Sequence, residues 1–249
     1  MMEQILVDGA REYGLDLDVS QLNMFKRYWE LLEETNDIMN LTAVTGREEV
    51  YRRHFLDSLA LFLVANFKDR KVIDVGSGAG FPGIPVKIAC PDTEMTLLDS
   101  QRKRVSFLEK VCLDTGLDTQ SIHGRAEELG REPKHRERYD YSLSRAVARL
   151  DVLAELCLPF LKPGGRFFAM KSAKAESTGT NESREAGTES EISTAEAAVT
   201  VLGGRLLPTV DYTVPETGIM RKIVVIEKVL PTPDKYPRRF AKIQKKPIK

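Results

Sequence analysis

The chain has 249 residues, 42% hydrophobic and 30% charged, enough for one full α/β domain with an appendage. Its three cysteines, Cys90, Cys112 and Cys157, are widely spaced and odd in number, which favours a reducing cytoplasm over a disulfide framework or a zinc site. The 37 basic and 37 acidic side chains cancel, but residues 235–249 hold seven Lys/Arg and no acid while 176–196 hold six glutamates against one arginine, so the neutral sum conceals a basic end suited to an anion. Met1–Ala10 already contains Glu3 and Asp8, unlike a signal peptide, and no apolar run approaches membrane-spanning length, so a cytoplasmic, monomeric protein with no membrane partner is expected.

Residues 1–66 read as a helical extension. In QLNMFKRYWELLEE, Leu22, Phe25, Tyr28, Trp29, Leu31 and Leu32 recur at helical spacing and make one apolar face. Thr45-Gly-Arg-Glu48 has the spacing of a capping box and predicts a helix through EEVYRRHFLDSLALFLVANF. On it Arg53, His54 and Asp57 lie within one turn. They suit either a solvated face with a hydrogen-bonded histidine or one wall of a nucleotide or cofactor pocket.

The stretch KVIDVGSGAGFPG, Lys71–Gly83, is the most informative in the chain. The apolar run Val72, Ile73 and Val75 is interrupted only by Asp74 and runs into Gly76, Gly78, Gly80 and Gly83, a buried strand entering a tight turn. Glycine suits such a turn because a Cβ would keep a nucleotide-sized ligand off the main chain, and Pro82 suits the first turn of a following helix. Gly78-Ala-Gly80-Phe-Pro-Gly83 satisfies the G-x-G-x-x-G dinucleotide fingerprint, with Asp99 about twenty residues on. The fuller pattern is an acid two places before G-x-G-x-G, in Asp74-Val-Gly76-Ser-Gly78-Ala-Gly80. None of the seven tyrosines has the lysine four places on that a common dehydrogenase arrangement requires.

Over residues 67–230 strands and helices alternate, predicting a mostly parallel, seven-stranded sheet with helices on both faces, the Rossmann-like α/β class. The strands are placed at Lys71–Val75, Glu94–Leu98, Thr119–His123, Tyr139–Leu143 and Arg166–Met170. Helices lie over Pro82–Cys90, Arg102–Thr115 and Leu150–Leu161. Ligands of open α/β sheets sit beyond the carboxyl ends of strands, so Asp74, Asp99, Ala126, Glu127, Arg145 and Lys171 are expected to face one crevice. Ser172–Ser190 carries no apolar residue larger than alanine and reads as a disordered insertion, with helix resuming near Glu191. Arg205–Val214 and Ile219–Val229 read as two strands around a Pro-Glu-Thr-Gly turn, followed by a basic tail, 231–249.

Asp74-Val-Gly76-Ser-Gly78-Ala-Gly80 resembles motif I of the class I S-adenosylmethionine-dependent methyltransferases. The remaining motifs narrow the resemblance to the bacterial 16S ribosomal RNA guanine-N7 methyltransferase family, also called the glucose-inhibited division protein B family. They are Asn40-Leu-Thr-Ala43, Arg53-His-Phe-Leu-Asp-Ser-Leu59, GFPGIP within Ile73–Pro85, Leu97-Leu-Asp-Ser100 with Lys103-Arg104-Val105, Ala126-Glu127, Ser144-Arg145-Ala146, and Tyr236-Pro-Arg-Arg239 with Lys245-Lys-Pro247. Together they span nearly the whole chain. Lys171-Ser172 stands where Lys-Gly is usual, and Ser172–Ser190 is longer than the family norm.

The resemblance implies that Gly76, Ser77, Gly78, Gly80 and Phe81 line the methionine and ribose part of S-adenosylmethionine. Asp99 and Ser100 would bind the ribose, Ala126 and Glu127 would meet the adenine, and Arg145 would lie between cofactor and RNA. An alternative for Asp99 is capping the helix that begins at Arg102. Arg125, Arg145, Lys171, Arg238 and Arg239 are the candidates for contacting 16S rRNA, within the small ribosomal subunit. No metal is expected and no side chain is assigned a strictly catalytic role. Guanine N7 carries an exposed lone pair, so its methylation needs no general base. The position of the Asn/Asp-Pro-Pro-Tyr/Phe motif of exocyclic-amine methylation reads Ser144-Arg145-Ala146-Val147, and there is no Pro-Cys loop for cytosine C5 chemistry.

Overall fold

The computed structural model describes residues 2–145, 147–172 and 188–248. The chain divides into two compact units, residues 1–124 with 213–219, and 125–212 with 220–249. The helices of residues 2–66 thus share a unit with the strand that carries the glycine loop.

In the first unit, α1 (Met2–Glu12) and α2 (Val19–Met39) precede a segmented helix. Asp18 starts α2 through a reciprocal capping box with Gln21, whose amide also donates to the Ile88 carbonyl at 2.8 Å. The next helix does not start by the expected box. Gly46 is the N-cap, at φ 83° and with no side-chain cap, and α3 covers Arg47–Val50. It widens into a π-helical turn over Tyr51–Leu56, continues as α4 (Asp57–Leu59), and tightens to a 3-10 turn over Ala60–Leu63. Asp57 is 3% exposed, so this is no solvated face.

β1 (Lys71–Val75), α5 (Gly83–Ala89), β2 (Glu94–Asp99), α6 (Arg102–Thr115) and β3 (Thr119–His123) follow within a residue or two of expectation. The ladders β1/β2 and β2/β3 are parallel, with Val75 opposite Leu98 and Asp99 opposite His123. β1 and β2 therefore end side by side, which brings the glycine loop to Asp99. Gly116, at φ 69°, closes α6 as the expected stop.

The second unit contains α7 (Ala126–Leu129), β4 (Tyr139–Arg145), α8 (Leu150–Cys157), β5 (Leu161–Ser172) and α9 (Thr188–Val201). These are followed by β6 (Gly204–Leu206), β7 (Val210–Thr213), β8 (Met220–Lys228) and α10 (Phe240–Lys245). β4 and β5 are parallel, while β8 runs antiparallel to both β5 and β6. α8 ends before the expected Leu161 because Pro159, which has no N–H to donate, turns Leu158–Phe160 into a 3-10 turn. The single strand expected over Arg205–Val214 is two, β6 and β7, with Pro208 between them where a ladder donor is missing, so the described residues form eight strands where seven were expected. Most of the expected insertion lies outside the described residues; at its edges Ser172 closes β5 and α9 already begins at Thr188.

The basic end is not a free arm. Arg136 donates to the carbonyls of Thr232 and Tyr236 at 2.6 and 2.9 Å, and Arg131 to those of Lys235 and Pro237 at 2.9 and 2.8 Å. Arg238 is also inward, its backbone N–H and guanidinium both held by the buried Glu155 at 2.6–3.1 Å. Lys228, fully buried, donates to the Leu158 carbonyl at 2.9 Å and to Thr232 Oγ1, and lies 3.6 Å from Glu137.

Burial lowers the Lys228 pKa from 10.5 to about 8, and Glu137 opposes the shift. Between those values the unfolded chain holds a proton that the folded one has released. Stability from this residue is therefore lost as pH falls from 10.5 toward about 8 and gained as it rises. Denaturant unfolding of wild type and Lys228→Met, compared at several values between about pH 8 and pH 10, is expected to show the wild type gaining on the variant as pH rises. A pH-independent difference would show that burial does not depress this ammonium.

Candidate functional site

The glycine loop is fastened at both ends. At its start, the N–H groups of Gly76 and Ser77 donate to the Leu98 carbonyl at 2.8 and 3.1 Å, and Ser77 Oγ donates to the Asp74 carbonyl at 3.0 Å. At its end, the Gly83 N–H donates to Asp74 Oδ2 at 3.0 Å. Two sequence expectations change here. Asp74 is fully buried and ties the loop to its own strand instead of facing a crevice, and Ser77 closes the turn, its hydroxyl on the Asp74 carbonyl and its own carbonyl accepting from the Gly80 and Phe81 N–H groups at 2.7 and 3.1 Å.

The loop is also fixed from the N-terminal helices. Tyr28 Oη donates to the Ala79 carbonyl at 2.5 Å, and a Cβ on Gly80, whose φ is 104°, would stand 2.6 Å from that same hydroxyl. The His54 ring packs on Phe81 with centroids 4.5 Å apart, and its Nε2 is 2.7 Å from Thr42 Oγ1. His54 is thus a hydrogen-bonded histidine that also packs on the loop. Tyr28 was legible only as part of an apolar stripe; nothing in the helical pattern distinguished its hydroxyl.

Gly78 is different from its neighbours. Its φ is 60°, and an added Cβ would meet only the Gly76 carbonyl oxygen, at 3.9 Å. The glycine leaves space over the main chain, and its N–H donates to Asp99 Oδ2 at 2.9 Å. Asp99 Oδ1 accepts from the Gln101 N–H at 2.8 Å, and Arg104 Nη1 lies 3.5 Å from Oδ2. Asp99 is not the cap of α6, whose N-cap is Gln101. A carboxylate has about four acceptor positions, so each oxygen keeps capacity for a hydroxyl donor after these backbone bonds. The adjacent Ser100 is exposed and its carbonyl is 3.1 Å from His123 Nε2.

The structure therefore brings together Gly76, Ser77, Gly78, Gly80, Phe81, Asp99 and Ser100 within the first unit. An open glycine beside a carboxylate with spare acceptor capacity, next to a flat apolar ring, fits a ribose-bearing cationic cofactor. The other named residues lie in the second unit. Ala126 and Glu127 open α7, with Glu127 8% exposed and 3.8 Å from Arg125 Nη1. Arg145 ends β4 and is half-buried. Lys171 is committed to the Ala148 carbonyl and to Glu191 Oε1, both at 2.7 Å, and Arg238 to Glu155. Arg239 is exposed at the start of α10.

A family model described as rRNA small subunit methyltransferase G (GidB) matches residues 21–202. The chain belongs to this family. A protein of Alkaliphilus metalliredigens named Ribosomal RNA small subunit methyltransferase G is 45% identical over 249 residues, covering 99% of each chain. One of the same name from Acetivibrio thermocellus is 42% identical and covers 99% of this chain and 97% of its own. Among solved structures, a SAM dependent methyltransferase from Aquifex aeolicus shares the fold, with a TM-score of 0.52 at 16% identity over 70% of this chain and 89% of that one. In this member of the family the glycine loop is thus held by Asp74 and Tyr28, with Gly78 left clear.

This geometry makes Gly78→Asp informative. Asp tolerates a left-handed backbone better than most side chains and its Cβ would meet only the Gly76 carbonyl oxygen at 3.9 Å, so the variant is expected to fold. Titration calorimetry with S-adenosylhomocysteine should show affinity reduced by roughly a hundredfold or more, since a carboxylate would occupy the clear space beside Asp99. Wild-type affinity in a folded Gly78→Asp protein would contradict the loop assignment.

Proposed function

We infer that this protein is an S-adenosylmethionine-dependent methyltransferase that modifies N7 of a guanine in 16S ribosomal RNA. We take its substrate to be RNA within the small ribosomal subunit, its working form to be a monomer, and its location to be the cytoplasm. The observation that carries the reading is the clear space at Gly78 beside the Asp99 carboxylate, in a chain of the methyltransferase G family.

When bound, S-adenosylmethionine supplies an electrophilic methyl group on a sulfonium. The residues of the chain are assigned to holding and aligning. Asp99 accepts the two ribose hydroxyls on the lone pairs left after its bonds to Gly78 and Gln101. Phe81, backed by His54, offers an apolar face, and the main chain of Gly76 to Gly80 follows the methionine part. Ala126 and Glu127 are assigned to the adenine and Arg145 to the side facing RNA. Arg125 and Arg239, both exposed, are suited to phosphate. Guanine N7 presents its lone pair without losing a proton, so no side chain is required as a base. Alignment is then the main contribution, an effect that in general can lower a barrier by about 7–11 kcal/mol.

Incubation with methyl-labelled cofactor and intact small subunits, free ribosomal RNA or protein extract tests the reading. Label is expected in RNA and released as 7-methylguanine. Label in protein, at another RNA atom, or in nothing would overturn it.

A further inference from the structure

The second unit holds a groove of about 950 Å³ that the site above does not use. It is walled by Val147, Ala148 and Arg149 after β4, by Asp151 and Val152 at the start of α8, and by Gln244–Pro247 at the end of α10, with Thr194 of α9 at its edge. Three of its lining residues are cations, Arg149, Lys245 and Lys246, against one carboxylate, Asp151, which is 3% exposed and already paired with Arg149 at 3.1 Å. Arg149 keeps 65% of its side chain exposed despite that pair, and Lys245 and Lys246 are exposed. Val147, 42% exposed, adds an apolar surface at the same mouth.

The groove is built, and the building uses the other cations. Arg238 is anchored on the buried Glu155 and also donates from Nη1 to the Lys246 carbonyl at 3.0 Å, so one half-buried guanidinium brackets α10 and fixes where Lys245 and Lys246 stand. On the opposite wall Lys171 holds the Ala148 carbonyl, and Glu191 accepts from both Lys171 Nζ and the Leu150 N–H. The first-turn N–H of α8 is thereby satisfied within the protein, which leaves the three side-chain cations as the groove's own offer to a ligand. The location is the carboxyl end of β4 and β5, the side on which α/β sheets receive ligands.

We propose that this groove seats the sugar-phosphate backbone of the substrate RNA, with Arg149, Lys245 and Lys246 on phosphates and Val147 against a neighbouring sugar or base. The proposal rests on the rRNA methyltransferase reading. It gives the basic residues of the chain two different roles, in which Arg238 and Lys171 shape the groove while Arg149, Lys245 and Lys246 contact the strand. Three cations around one strand neutralise phosphates and release counterions, so their removal changes the salt dependence of binding as well as its strength.

The test measures binding of the full-length protein to free 16S rRNA at several salt concentrations. It compares wild type, Lys245→Gln/Lys246→Gln, and the triple variant with Arg149→Gln, with melting temperature and S-adenosylhomocysteine calorimetry as controls. The slope of log K against log salt is expected to fall by about 0.7 for each lost phosphate contact, hence by about 1.4 in the double variant and about 2 in the triple. Cofactor affinity should stay within about twofold of wild type. The double variant leaves the Arg149–Asp151 pair intact, so it answers the question even if the triple folds poorly. An unchanged slope in a folded double variant overturns the proposal, including the case in which binding to intact subunits weakens and a protein contact is indicated instead. Wild type that neither binds free 16S rRNA nor methylates RNA in intact small subunits would defeat the function reading itself, a result distinguishable from failure of the groove alone.

Discussion

One buried carboxylate organises the first unit. Asp99, 3% exposed, ends β2 and binds the N–H of Gly78 in the loop after β1 and that of Gln101 in the turn after β2. Parallel strands need long crossovers, so two neighbouring loops of this kind are joined by no short covalent path, and a side chain that bridges them sets their spacing. A polar group so buried needs partners. Two backbone donors and Arg104 at 3.5 Å provide them, and acceptor capacity remains on both oxygens. The group that builds the site and the group expected to bind the ribose are therefore the same atoms.

Asp74 shows the complementary arrangement. It is fully buried and its bond to Gly83 lies along the loop, not across to the next strand. The loop is thus pinned to its own strand by Asp74, to the neighbouring strand by Leu98 and Asp99, and to the helical extension by Tyr28. Between these attachments Gly78 is the position where a side chain would meet almost no protein. A loop held at three sides and bare in the middle loses little conformational freedom when something settles on it, which favours affinity through preorganisation.

Much of this was legible in the residues. The alternation of strands and helices, the bounds of β1 and α6, and the glycine stop at Gly116 follow from periodicity and turn chemistry, both local properties. What stayed hidden depends on tertiary partners. Asp74 and Asp99 both read as crevice carboxylates, and only the fold shows that Asp74 turns back to its own loop while Asp99 bridges two neighbouring ones. Thr45-Gly-Arg-Glu48 matches a capping box by spacing, but Gly46 takes the cap and no side chain bonds there. Arg205–Val214 read as one strand, and Pro208 divides it by removing a ladder donor.

Cations are the case in which sequence reading fails for a general reason. A basic run in a sequence is a count of charges, whereas the field it offers a partner depends on which side chains have already been neutralised. Arg131 and Arg136 satisfy backbone carbonyls of residues 232–237, Arg238 neutralises Glu155, and Lys228 is enclosed within the second unit. Arg136, Arg238 and Lys228 hold the chain end from within, and removing one of them would leave buried or part-buried acceptors unsatisfied, at a typical cost of about 1–3 kcal/mol each; Arg131 does so from the surface. The exposed Lys245 and Lys246 make no comparable contribution to packing, yet their position is determined by the inward arginine that brackets their helix. The electrostatic surface of the second unit is in this sense a product of its interior: the half-buried guanidinium fixes the backbone, and the backbone fixes where the free ammonium groups stand.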